Sequence, residues 1–244
     1  MSSSQVPARQ WVHETAAGRN RPEPLIVPLA FRLAARVQER PIAAFLSDPT
    51  QLANGLLELF YALGADGIVC AMPAPAERAS SEPWELEGSE VAQAERMAAS
   101  LEAIRRLRIT VGDQAALVAG LAGPATMTAK GIGGVQDMAS AAQAVAGQAR
   151  TFCGAGCDVV LLFEDAAPPD PSGWQAGLRT ISNIVKFHRG LAFLMGTQGA
   201  LPSPTLWSPG SAPTAPLRGF VTTPRELAPD TDLEMLRSSI ASVR

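Results

Sequence analysis

Twice along this chain a helix-like stretch runs into a glycine turn and then into a short strand made of apolar residues. The first copy is SDPTQLANGLLELFYALGADGIVC, where Asp48 is placed to cap a helix with Pro49 at its first position. Leu52, Leu56, Leu59, Phe60 and Leu63 then recur at helical spacing until Gly64 stops the helix. The second copy, DMASAAQAVAGQARTFCGAGCDVVLLFED, repeats helix, glycine turn and strand. Strands that carry no polar face must be covered by helices, so the pattern predicts a parallel α/β sheet.

The rest of the chain fits that alternation. PLIVPLA (Pro24 to Ala30), AALVAGLAG and LAFLMGTQ read as further buried strands, and FRLAARVQ begins a helical segment. Helices are predicted from about Ser89 to Leu107 and from about Ser172 to Arg189. The last unit, RGFVTTPRELAPDTDLEMLRSSIASVR, is a short strand and a closing helix, with Thr231 and Glu234 at capping-box spacing. Loops fall at Pro73 to Gly88 and Leu201 to Leu217. About six strands emerge, in one domain over residues 23–244, behind a polar N-terminal arm over residues 1–22. Periodicity alone does not separate an open sheet from a closed barrel. In both, the strand carboxyl ends are where chemistry collects.

Composition narrows the function. With 47% hydrophobic and 18% charged residues over 244 positions, the chain suits one globular domain. A net charge of -3 gives no reason to expect a nucleic acid or an anionic membrane as partner. No apolar run is long enough to span a bilayer and the first residues lack the apolar core of a signal peptide, which predicts a soluble, cytoplasmic protein. Cys70, Cys153 and Cys157 are an odd set in such a chain and predict buried thiols rather than a disulfide framework. A metal site would need more ligands than these, and the only histidines are His13 and His188, so no metal is expected.

Four segments, in order, resemble the uroporphyrinogen decarboxylase superfamily, which also contains corrinoid and coenzyme M methyltransferases: FLSDPTQLANGLLELFYALGADGIV, LVAGLAGPATMTAKGIGG, GAGCDVVLLFED and GFVTTPRELAPDTDLEMLRSSI. The resemblance implies a (β/α)8 TIM-barrel derivative, commonly a homodimer, with its site at the strand carboxyl ends. The segment between LAFLMGTQ and RGFVTT is too short for the two βα units such a barrel places there, so an abbreviated barrel of fewer than eight units is expected. Its open edge would need cover from the Pro-rich loop, the arm or a second subunit.

What the resemblance implies for activity is a carboxy-lyase of porphyrin metabolism acting on a carboxylate-bearing, tetrapyrrole-like substrate without a cofactor. Arg32 and Arg36 of RLAAR keep the spacing of the two arginines in the family's R-Q-A-G-R motif and would clamp substrate carboxylates. The family's catalytic aspartate would lie in IVCAMP, where this chain has Cys70, Ala71 and Met72; its tyrosine falls on Lys130, its serine on Asp165, and its late histidine near Pro224 and Arg225. Asp165, Lys130 and Glu164 are therefore the candidate catalytic residues, and Arg32, Arg36 and Arg225 the candidate binders of a small anionic molecule. Glu164 and Asp165 adjoin at a strand end, and alternation along a strand would turn one of them toward the mouth. The methyltransferase branch implies a zinc site of His and Cys ligands that activates a thiol, yet the matching strand end here is LMGTQG. Methyl transfer is the alternative reading. A third is a catalytically degenerate partner subunit in complex with a larger homologue.

Overall fold

A computed structural model describes residues 6–73, 90–211, 213 and 215–244. Seven strands are found among them: β1 (Leu25–Ile26), β2 (Gly67–Ala71), β3 (Ala116–Ala122), β4 (Val159–Phe163), β5 (Leu191–Met195), β6 (Thr205–Leu206) and β7 (Phe220–Thr222). They form two all-parallel sheets, ordered β2-β3-β4-β5 and β1-β7-β6. Hydrogen bonds join the sheets on both sides. Asp66 N–H donates to Ile26 O at 2.9 Å just before β2, and Leu194 N–H of β5 donates to Pro202 O at 2.9 Å ahead of β6. Inside, the rings of Phe193 on β5 and Phe220 on β7 stack with centroids 4.8 Å apart. The result is a mixed α/β fold of two parallel sheets, consistent with a partial TIM-like arrangement.

The helices cover the outside as the apolar strands require. They are α1 (Ala8–Ala16), α2 (Phe31–Val37), α3 (Ile42–Ser47), α4 (Pro49–Leu63), α5 (Glu90–Val111), α6 (Pro124–Lys130), α7 (Met138–Ala155), α8 (Pro171–Phe187) and α9 (Leu233–Ser242). The Asp48 carboxylate accepts from Thr50 N–H at 2.8 Å and Gln51 N–H at 3.1 Å, so α4 starts where its Asp-Pro pair predicts, and Gly64 closes it in the left-handed conformation. The closing helix starts differently. Asp232, not Thr231, caps α9, accepting from Glu234 N–H at 2.8 Å, while the Thr231 hydroxyl turns back to Ala228 O at 2.7 Å. Within the first 22 residues, α1 sends Trp11 and Val12 into the core. The predicted Pro73 to Gly88 loop lies outside the described residues apart from Pro73. No helix among the described residues is long and apolar enough to cross a membrane.

Candidate functional site

The strand carboxyl ends converge on a pocket of about 200 Å³. Ala122, Phe163 and Met195, the last residues of β3, β4 and β5, form its apolar wall with Pro73 and Pro224. Thr126, Glu164, Asp165, Arg225 and Glu226 supply its polar groups. A larger cleft of about 830 Å³ lies at the opposite end, beside Trp11, Leu25, Asp66 and Arg244. That end carries the strand starts, away from where α/β sheets place their chemistry.

Glu164 is buried, and its carboxylate is held by neutral donors. Oε1 accepts from Ala125 N–H at 3.1 Å and from the Trp174 indole at 2.7 Å; Oε2 accepts from Thr126 N–H at 2.8 Å and lies 2.9 Å from Thr126 Oγ1. The carboxylate thus caps the first turn of α6 from a neighbouring strand end, satisfying N–H groups that the short helix leaves open. Two glycines make room for it. A Cβ on Gly123 would overlap the Glu164 side chain, and a Cβ on Gly196, whose φ is +96°, would overlap the Glu164 carbonyl.

Asp165 is exposed beside it. Its Oδ1 lies 2.9 Å from Thr126 Oγ1, its N–H donates to that same oxygen at 2.9 Å, and its Oδ2 pairs with the Lys130 ammonium at the end of α6. Partial burial works to raise its pKa, but the bonds from Lys130 and Thr126, together with the Lys130 charge, hold the carboxyl below its ordinary range. Both acids reach the pocket, against the expectation that strand alternation would send only one there. The ladder stops at Phe163, so alternation no longer governs the two residues that follow.

The predicted arginines separate into three environments. Arg32 is buried; its Nε lies 3.4 Å from Glu226 Oε2 while its N–H donates to Glu226 Oε1 at 2.7 Å. Arg36 donates to Pro229 O at 2.8 Å and Thr231 O at 3.3 Å, tying α2 to the loop before α9. Arg225 is exposed at the pocket, and its guanidinium makes no hydrogen bond or ion pair with the described residues. The structure thus brings Asp165, Glu164 and Arg225 around one pocket, joins Lys130 to it through its pair with Asp165, places Arg32 behind it through Glu226, and leaves Arg36 outside. Thr126, Trp174 and Glu226 were not singled out from sequence. Each is joined to its partner by the fold alone.

The thiols lie away from this chemistry. Burial pushes Cys70 and Cys153 up to about 12 and drives Cys157 well above the usual thiol range, so all three stay protonated near neutral pH. They are free cysteines, as expected. No group of three His, Cys, Asp or Glu side chains among the described residues is placed to hold a metal ion. The residues present do not fit a protein-bound zinc of the kind the methyltransferase resemblance implies.

No protein-family model matches the sequence, and no curated protein matches it. Among solved structures, 22 chains match. One, a methyltransferase from Methanosarcina mazei, aligns over 98% of this chain and 98% of its own, with a TM-score of 0.67 and 15% sequence identity. The likeness is one of fold, and it spans the whole of both chains.

Proposed function

We propose that the pocket at the strand ends binds a small carboxylate-bearing molecule and serves methyl transfer rather than decarboxylation of a tetrapyrrole. One observation carries the binding half: Arg225 is the pocket cation left without a partner among the described residues, while each acid lining the same pocket is already engaged. An unpaired guanidinium above apolar walls favours an anion with a small apolar body, held by charge-assisted bonds. The pocket volume of about 200 Å³ suits a molecule of amino-acid size and falls below the range of roughly 300–1,000 Å³ typical of larger ligands. Arg32 and Arg36, the clamps a polycarboxylate would need, both already have protein partners.

The methyl-transfer half rests on the fold shared with the Methanosarcina methyltransferase, and membership of the uroporphyrinogen decarboxylase superfamily belongs to the same proposal. On this reading Arg225 binds the substrate carboxylate, Phe163, Met195 and Ala122 exclude water from its apolar part, and Lys130 and Thr126 hold protons at the rim beside the Asp165 carboxylate. Protonated, buried thiols and the absence of a ligand cluster among the described residues favour a further component, the larger homologue of the third reading, as the source of any thiol activation. The test is a thermal-shift and calorimetric screen of short carboxylates, corrinoids and tetrapyrrole carboxylates, since a ligand of the folded state raises its apparent stability. Short carboxylates should stabilise the wild type and not Arg225→Ala. A tetrapyrrole carboxylate that shifts both proteins equally, with short carboxylates inert, would overturn the proposal.

A further inference from the structure

The hydrogen-bond count at the pocket does not close. Thr126 Oγ1 carries one proton, yet it lies 2.9 Å from Glu164 Oε2 and 2.9 Å from Asp165 Oδ1, and its lone pair already accepts the Asp165 N–H. It donates to one carboxylate at a time. When it serves the buried Glu164, Asp165 retains the Lys130 bond alone among the side chains and is left with open acceptor positions facing solvent and the pocket.

Charge is distributed in the same sense. Among the described residues the adjoining carboxylates of Glu164 and Asp165 have one cation beside them, the Lys130 ammonium, and it pairs with Asp165 alone. Arg225 lines the same pocket with its guanidinium unbonded to the described residues. A purely anionic ligand would answer Arg225 and leave the open acceptor of Asp165 unmet. We infer that the ligand is a zwitterion of α-amino-acid type, whose carboxylate pairs with Arg225 and whose ammonium donates to Asp165 beside Thr126. The apolar wall of Ala122, Phe163, Met195 and Pro73 receives its side chain. The inference rests on the carboxylate-binding reading above and adds the second charge.

Calorimetry on the full chain with a matched series tests it: pentanoate, 2-hydroxypentanoate, norvaline (2-aminopentanoate) and butylamine. Norvaline should bind about tenfold tighter than pentanoate, the scale of one charge-assisted hydrogen bond. Asp165→Asn should erase that gap and leave pentanoate binding intact, whereas Arg225→Ala should weaken both carboxylates. Lys130→Met removes the competing ammonium and should widen the gap, which keeps the test open even if Asp165→Asn fails to fold. Equal binding of pentanoate and norvaline, with both lost in Arg225→Ala, would overturn the zwitterion and leave the anion reading standing. Equal binding of norvaline and 2-hydroxypentanoate would show that a donor suffices and would likewise overturn it. If no carboxylate binds, both readings fall together.

Discussion

Strand β4 carries a buried carboxylate at each end, and the two are stabilised in opposite ways. Asp158, just before the strand, is surrounded by cations: Arg108 pairs with Oδ2, Arg9 Nε donates to Oδ1 at 3.1 Å, and Leu117 N–H adds a bond of 2.9 Å. Glu164, just after it, meets only neutral donors, from the first turn of α6, the Thr126 hydroxyl and the Trp174 indole. At the strand starts, Arg9 and Arg108 meet Asp158, Arg9 also pairing with Asp113 at 3.2 Å, so two cations balance two anions and tie α1 and the end of α5 to the sheet. At the strand ends, the buried carboxylate has no cation of its own among the described residues, and Arg225 stands apart with no partner among them. A closed set of charges holds a fold together; an open set is ready for a ligand.

The largest effect should come from breaking the closed end. Asp158→Ala leaves Arg108 and the Leu117 N–H without their buried partner, and loss of one member of a buried pair costs about 3–5 kcal/mol. Urea unfolding measures this directly. A loss below about 1 kcal/mol would show that the network is dispensable and that the contrast between the two ends is not one of stability.

Glu164→Gln probes the other end with nearly the same shape. The amide must point its NH2 at donors, Ala125 N–H and Trp174 on one oxygen or Thr126 on the other, so at least one group is left unsatisfied. The expected cost is about 2 kcal/mol, less than at Asp158 because no buried cation is stranded. Quenching or shift of Trp174 fluorescence offers a second readout, since its indole bond would be lost or weakened. A cost equal to that of Asp158→Ala would erase the distinction.

Much of this contrast could not be read from sequence, for identifiable reasons. The fully apolar runs of β2, β3, β4 and β5 and the Asp48-Pro49 start of α4 are local signals, and they placed those elements. Strand β6 has two residues inside a Pro- and Ser-rich loop, too few to show any period, so six strands were expected where seven are found among the described residues. PLIVPLA reads as a seven-residue strand, but only Leu25 and Ile26 enter the ladder. Pro28 has no N–H to donate to it. The acids at 164 and 165 were visible as the polar end of an apolar run. Their partner Thr126 was not, because the contact depends on Ala122 pairing in register with Phe163, which sets the first residues after β3 beside the first residues after β4. Arg32 suffered the same blindness: its carboxylate partner Glu226 lies 194 positions away.

The exposed Asp165–Lys130 pair should contribute little to stability, and its sign with pH is fixed. Its carboxyl is held below the ordinary value of 3.8 in the folded protein, so its contribution is fully present above that value and is lost as pH falls through the lowered one. Both side chains are more than a third exposed, so solvent screening limits the pair to under about 1 kcal/mol. The gap in melting temperature between wild type and Asp165→Asn should therefore be small at neutral pH and close on acidification. A gap that widens in acid would reverse the assignment of Asp165 as the stabilised anion.

The smallest effect on stability is expected at Arg225, and it discriminates most sharply between the two ends. Its guanidinium makes no bond to the described residues, so Arg225→Ala should change unfolding free energy by less than about 0.5 kcal/mol, the range of surface substitutions away from special features. Its affinity for short carboxylates should nonetheless fall about tenfold or more, the scale of a charge-assisted bond. Equilibrium unfolding with and without saturating ligand measures both at once, because the increment of stability conferred by ligand depends only on affinity and concentration. Asp158→Ala should show the reverse, with low intrinsic stability and the ligand increment preserved. Should Arg225→Ala unfold as readily as Asp158→Ala, Arg225 would be part of the scaffold and the strand ends would hold no spare cation for an anion to find.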